Sequence, residues 1–286
     1  MPKRPRLKGA GLYHHIYNRG NNRRAIFHSE SDYNRYLGGL FRFSNTYSID
    51  VISYALMRWH VHLFILDRQG YISEFVNVFH GWYAQSFNRI HNRIGHLFEA
   101  RYKNKIVDAN NYGLWLSRYI HRQPVEAGLV TKAEDYQWSS IHVYTGAVKE
   151  PYLKPQVVLA QFGRSRAEQC RSYVKFLRDN DEGPIDWQKK ELEPQVIIGD
   201  SEFRKSVDSK LGRRNESAIL DEDPLVVVST ILKTSEKILK CPKGTKEKRL
   251  RQKAVRILGS KYGLGIRRIA RLFRMAPSSV FAILKK

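Results

Sequence analysis

The chain is poor in cysteine: Cys170 and Cys241 are its only two, and they lie far apart in 286 residues. That excludes a disulfide framework and a cysteine-based zinc site. Acidic residues are also scarce, 27 against 50 Lys and Arg, which gives a formal charge of +23 and a pI near 10. No apolar run approaches the roughly 18–20 residues of a membrane-spanning helix. The first residues, Met1-Pro2-Lys3-Arg4-Pro5-Arg6-Leu7-Lys8, form a basic arm with no apolar segment behind it, so they are not a signal peptide. A cytoplasmic protein is expected. Internal repeats and low-complexity tracts are lacking too.

What is present is a large surplus of positive charge, and such a chain seeks a polyanion. Nucleic acid is the default partner, because neutralising phosphates releases counterions and drives binding whatever the sequence. The charge is unevenly spread: Lys243 to Lys286 holds fourteen Lys or Arg and a single acidic residue, Glu247. Upstream, Asp221-Glu222-Asp223-Pro224 reads as a polar break. The expected organisation is a catalytic domain over 1–148, a helical extension and linker over 149–240, and a basic domain over 241–286.

In the first half, Leu12 to Tyr17 has the β-branched and aromatic content of a strand, followed by a loop at Asn18–Asn22. Tyr33, Tyr36, Leu37, Leu40 and Phe41 recur at helical spacing after a cap at Ser29 or Ser31. Val51 to Met57 and Val61 to Leu66 read as strands joined tightly at Arg58-Trp59. A second long helix carries Phe75, Phe79, Tyr83 and Phe87 and ends before Gly95, His96 to Val107 returns as a strand, and Asn110 to about Arg122 is a third helix. The order β-α-β-β-α-β-α predicts an α+β fold: a ferredoxin-like antiparallel sheet with helices on one face.

On this frame His60-Val61-His62 is the most informative motif, followed 57 residues later by Tyr119 and then Gln123. A strand's two-residue period puts both imidazoles on one face, and one helical turn puts the phenol beside a third ligand. These are the parts of a metal-assisted tyrosine nuclease. Paired strand histidines also serve as half-buried polar pairs, and sixteen tyrosines are present, Tyr112 among them two turns earlier on the same helix face. Gln123 precedes Pro124, which disfavours helical geometry, so Gln123 is expected as the last helical residue. Arg101, Lys103 and Lys105 alternate on a strand and make one face basic, as a solvated edge also would. His14, His15 and His121 read as surface or core histidines.

Five collinear blocks decide among these readings: Tyr13-His14-His15-Ile16-Tyr17-Asn18-Arg19-Gly20-Asn21; Tyr54-Ala55-Leu56-Met57 leading into His60-Val61-His62-Leu63; Phe98-Glu99-Ala100-Arg101-Tyr102; Tyr119 to Val130; and Trp138-Ser139-Ser140. In this order they resemble the single-tyrosine HUH transposases, specifically the branch of REP-associated tyrosine transposases. Two positions depart from that pattern: Arg58-Trp59 stands where the family commonly has Pro-Asn, and Gln123 where it has Asn. The resemblance implies cleavage and rejoining of single-stranded DNA at hairpin or repeat ends. It implies a divalent cation held by His60, His62 and the Gln123 amide oxygen. Imidazoles alone would favour Mn, Fe or Zn; the resemblance implies Mg²⁺ or Mn²⁺. Tyr119 would attack phosphorus and leave a 5′-phosphotyrosyl enzyme. Arg118 and Arg122 could aid its ionisation, and they join Arg19, Arg101, Lys103 and Lys105 as candidate DNA contacts. The protein is expected to act as a monomer or homodimer.

The basic tail has its own pattern. Leu250, Ala254, Ile257 and Leu258 form one stripe, Ile266, Ile269, Ala270 and Phe273 a second, and Val280, Ile283 and Leu284 follow a short break. Two short helices around a tight turn resemble a helix-turn-helix. Pro277 would open the recognition helix, with Ser278, Ser279 and Phe281 or Ala282 facing the major groove while Arg267, Arg268 and Arg271 hold phosphates. A basic hairpin docked on the catalytic domain is the competing reading, and Ala276 is a poor cap. Residues 149–240 yield no function, although Tyr173 to Leu177 looks helical. Two other functions compete: a non-catalytic DNA-binding regulator on a transposase scaffold, and a metal-dependent RNA-processing nuclease needing no tyrosine nucleophile.

Overall fold

A computed structural model describes residues 7–179, 181, 183–192, 197–211, 224–261 and 266–284. They belong to two compact units, Met1–Leu211 and Gly212–Lys286. The first six residues of the basic arm and the break at Asp221-Glu222-Asp223 lie outside the described residues.

The first unit opens β1 (Leu12–Arg19), α1 (Glu30–Thr46), β2 (Ile49–Met57), β3 (His60–Asp67), α2 (Ile72–Ile90), β4 (Lys103–Val107) and α3 (Ala109–Glu126). The sheet order is β2-β3-β1-β4, antiparallel at each pairing, which is the expected split βαβ arrangement. A two-residue strand, β5 (Ile197–Ile198), adds in parallel to β4. Side-chain oxygens set the element boundaries. Asp32 accepts from the backbone nitrogens of His28 and Ser29 and so fixes the start of α1. Asp67 ends β3 by accepting from the nitrogens of Gln69, Gly70, Tyr71 and Ile72, which turns the chain into α2.

The period of two along β3 sends Val61, Leu63 and Ile65 into one core with Tyr36 and Leu40 of α1 and Phe75, Phe79 and Tyr83 of α2. Phe64 points the other way, into a second core with Leu116 and Ile120 of α3. Helices therefore cover both faces of the sheet, not one as expected. The second cover includes α4 (Ile141–Tyr144), α5 (Gln156–Leu159), α6 (Arg166–Arg178) and α7 (Trp187–Leu192), which bring Tyr144, Leu159, Tyr173, Leu177 and Trp187. Further on, α8 (Ser201–Lys210) packs Val207 with Leu7, Leu12 and Ile106.

Two expected boundaries shift. The segment from His96 does not enter the sheet until Lys103; before that it lies beside the end of β1, with Asn21 N donating to Leu97 O and Glu99 N to Arg19 O. And α3 does not stop at Gln123. It runs through Pro124 to Glu126, because the ring removes one N–H while Ala127 N to Gln123 O and Leu129 N to Pro124 O carry the bonding onward.

In the described residues of the second unit the regular elements are helices: Pro224–Ile231, Glu236–Lys240, Thr245–Arg256, Ile266–Leu272 and Pro277–Leu284, with a π-helical stretch at Ile257–Lys261. Leu225, Val228 and Leu239 share its core with Val255, Leu258, Ile269, Phe273 and Val280. The segment 149–240 is thus not one extension: its first part completes the core beneath α3, and residues 225–239 belong with the tail. A helix does begin at Pro277, with Ser278, Ser279, Phe281 and Ala282 exposed, as is Arg271. The side chains of Arg267 and Arg268 lie outside the described residues. Among the described residues no helix is long and apolar enough to cross a membrane.

Candidate active site

The second face of the sheet carries the paired histidines. Strand register sets Ala55, His62, Tyr17 and Lys103 in one row across β2, β3, β1 and β4, with Ser53, Phe64, His15 and Lys105 in the next and Met57, His60 and Arg19 in the row before. The rings of His60 and His62 are 5.0 Å apart at 80°. Tyr17 lies 5.6 Å from the first and 5.1 Å from the second. His15 is stacked on His62 at 5.5 Å and 12°, with Nε2 of His15 3.2 Å from Nδ1 of His62. Opposite His62 on β2 stands Ala55.

Over this face runs α3, its start capped by Asp108, which accepts from Asn110 N and Asn111 N. It is pinned from beneath by His121, whose Nδ1 is 2.6 Å from Tyr173 Oη and whose Nε2 is 2.7 Å from Ser140 Oγ. Burial pushes the His121 pKa down to about 3, so the ring is neutral. Ser117 Oγ lies 3.3 Å from Ser53 Oγ on β2. Thus held, α3 presents the Tyr119 ring edge-on to His62 at 5.6 Å and to His15 at 6.1 Å. Gln123 follows one turn later; its Nε2 donates to Glu126 Oε2 at 3.2 Å, which leaves the amide oxygen as the donor atom a cation would take.

A strap of chain covers the phenol. Trp187 stacks on Tyr119 at 6.0 Å and 24° and meets His15 at 6.2 Å, so that Tyr119 is only 8% exposed. Arg118 donates to Asp181 O at 2.7 Å and also to Asp179 O, and Arg122 donates to Asp179 O at 2.9 Å. Gly183, at φ +72°, sits so close to Trp115 that an added Cβ would be 2.4 Å from its ring. Beside Tyr119 this leaves a cavity of about 390 Å³ lined by Trp115, Arg122, Glu126, Asp186 and Trp187.

Of the residues selected from sequence, the fold gathers His60, His62 and Tyr119 on one face. The others divide. Lys103 and Lys105 share that face, but Lys105 is 2% exposed and therefore no solvated edge; Lys103 lies over the Tyr17 ring at 5.5 Å. Arg101 is exposed in the loop before β4. Arg19 is ion-paired with Glu99, its Nη2 2.9 Å from Oε1. Arg118 is 4% exposed, donates to two backbone carbonyls of the strap and lines the cavity beside Tyr119. Two side chains that pack on Tyr119 were not singled out. His15, read as a surface or core histidine, shares the parity of Tyr13 and Tyr17, which was its one legible signal. Trp187 gave none, lying 68 residues beyond Tyr119.

Among the described residues no three His, Cys, Asp or Glu side chains gather to hold a metal. A cation held by His60 and His62 would therefore need a further ligand of another type, for which the Gln123 amide oxygen is the candidate. With Nδ1 of His62 turned to His15, Nε2 is the nitrogen that would take a metal, as where an outer hydrogen-bond partner fixes a ligating histidine.

Residues 9–123 match the family model of the IS200-like transposases. A comparison with curated proteins finds no match. Among solved structures the chain is similar to the REP-associated tyrosine transposase bound to a REP hairpin. The identity is 14% and the TM-score 0.43, over 55% of this chain and 93% of that one. The likeness to the IS200-like transposases therefore lies in residues 9–123, less than half of the chain.

Proposed function

We propose that the protein cleaves and rejoins single-stranded DNA at hairpin or repeat ends through a tyrosine nucleophile, with Mg²⁺ or Mn²⁺ as cofactor. The observation that carries this reading is Tyr119 facing His62 at 5.6 Å above a paired-histidine strand. His60, His62 and the Gln123 oxygen would hold the cation. When bound, it supplies charge neutralisation and orientation for a non-bridging phosphate oxygen. Tyr119 then attacks phosphorus through its phenolic oxygen and gives up its proton. The bond from phosphorus to the 3′ oxygen breaks, and that oxygen leaves as a 3′-hydroxyl. The 5′ phosphate stays on Tyr119, so a hydroxyl from the same or another strand can reverse the step without ATP. Arg122 and Arg101 are suited to hold the strand, Arg122 from the cavity wall and Arg101 from the exposed loop before β4. The exposed Ser278 and Ser279 would meet a duplex, with Arg271 on phosphate.

The experiment is incubation of 5′- and 3′-labelled hairpin DNA with Mg²⁺ or Mn²⁺, followed by a denaturing gel, for wild type, Tyr119→Phe and His62→Ala. A metal-dependent adduct that retains the 3′ label and is lost in both variants is expected. Specific binding without adduct across several hairpins would instead make the protein a DNA-binding regulator.

A further inference from the structure

At the β2–β3 turn, the one stretch where the chain departs from the family's Pro-Asn, stands an exposed tryptophan next to the first histidine of the pair. Trp59 is 44% exposed, and the Met57–His60 pairing closes the turn behind it. Three backbone bonds hold that turn from the side: Gly20 N to Trp59 O and Ile26 N to Arg58 O, each 2.8 Å, and Phe27 N to Arg58 O at 3.3 Å. The backbone beneath the ring is therefore fixed. These same bonds lay the turn against the Gly20–Phe27 segment, so exposed Arg23 and Arg24 stand on the segment next to exposed Arg58 and Trp59. Asn22 and Arg23 are both left-handed, at φ 52° and 54°, a conformation that costs non-glycine residues energy and that the surroundings must enforce. Gly20 shows how tight the junction is, since an added Cβ would stand 2.0 Å from Arg24 O. The acid near this cluster, Glu99, is taken by Arg19.

An exposed indole on a braced turn next to the histidine pair, with exposed arginines on the same and the neighbouring segment, combines the two elements by which proteins hold unpaired strands, an aromatic platform and a cationic track. We propose that Trp59 is a stacking station for an unpaired nucleobase of the strand that enters the His60–His62 face, with Arg23, Arg24 and Arg58 on its phosphates. This rests on the reading of the protein as a single-stranded DNA enzyme. The charge of the surround argues for a nucleic-acid occupant, and the step from His60 to Trp59 is a single residue, so the base concerned flanks the phosphate under attack.

The test measures binding of full-length protein in the Tyr119→Phe background, where chemistry is absent. The probes are oligo(dT) and a wholly abasic deoxyribose-phosphate strand of equal length. Trp59→Ala and Trp59→Leu are expected to weaken oligo(dT) binding on the order of 10-fold. Trp59→Phe should keep most of the affinity, and all variants should bind the abasic strand alike. An undiminished preference for oligo(dT) in Trp59→Ala would overturn the station and leave the proposed chemistry standing. Failure of the parent protein to bind either strand would overturn both.

Discussion

His15 on β1 and His62 on β3 meet diagonally across the sheet, Nε2 to Nδ1 at 3.2 Å with their rings stacked. A histidine that ligates a metal through one nitrogen holds its orientation through the other, and here the sheet itself supplies the partner. His15→Ala should weaken the functional affinity for Mn²⁺ about 10- to 100-fold, read from a metal titration of DNA cleavage. Excess Mn²⁺ should restore the rate, and His15→Asn should recover part of it. A loss of activity that no amount of metal reverses would show that His15 serves only packing.

Trp187 is 6% exposed and lies flat on Tyr119. Trp187→Ala should cost about 3 kcal/mol, as large-to-small core changes do, and lower the melting temperature of the first unit by about 6–12 °C. Below the melting transition, tetranitromethane should nitrate Tyr119 faster in the variant, as read by mass spectrometry of its peptide. Equal nitration rates would mean that the indole does not shelter the phenol.

Arg118 and Arg101 should part company. Arg118→Leu leaves the carbonyl of Asp181 without its donor and that of Asp179 with Arg122 alone, at about 1–3 kcal/mol. It should lower the urea midpoint while leaving the salt dependence of DNA binding unchanged. Arg101→Ala should do the reverse, lowering the slope of log affinity against log salt by about 0.7 for single strands. A reduced slope in Arg118→Leu would return Arg118 to the phosphate contacts.

His121 makes the first unit sensitive to acid. Its pKa is about 3 in the folded chain against 6.5 in the open chain, so between these values the unfolded state binds the extra proton. The stability it contributes is fully present above pH 6.5 and is lost as pH falls, at about 1.4 kcal/mol per pH unit. Urea titrations between pH 7.5 and 5 should show this slope in wild type and a shallower one in His121→Gln. An equal slope in both would place the acid sensitivity elsewhere, the buried His14 being next, since burial lowers its pKa to about 4.

Removal of the second unit after Leu211 should spare adduct formation at high protein concentration while weakening discrimination between hairpin sequences. A folded truncation without any cleavage would refute that division of labour.

The four-stranded order was legible because strand alternation and helical spacing are local signals: Val61, Leu63 and Ile65 announce one buried face, and Tyr36 and Leu40 its cover. His60, His62 and Tyr119 were found by spacing and then by the blocks around them. What escaped were relationships that no local pattern encodes. The path of α3 through Pro124 depends on bonds beyond the proline, and the burial of Arg118 depends on carbonyls some 60 residues away. Trp187 joins the site only because α6 and the strap return across α3. Equally, the unit boundary at Leu211 follows from which core Leu225 and Leu239 share, whereas composition had marked the rise in charge near Lys243.

The strap from Asp179 to Trp187 also bears on how this protein can be taken apart. A fragment cut where the family pattern ends would hold every residue expected to touch phosphate, yet it would lose the indole over Tyr119 and both acceptors of a buried guanidinium. Such a fragment would present Tyr119 to water and to stray oxidants. Any property of that phenol measured on it would report a differently insulated side chain. Grafting this chemistry onto another scaffold therefore calls for carrying the chain through Trp187 as one inseparable cassette.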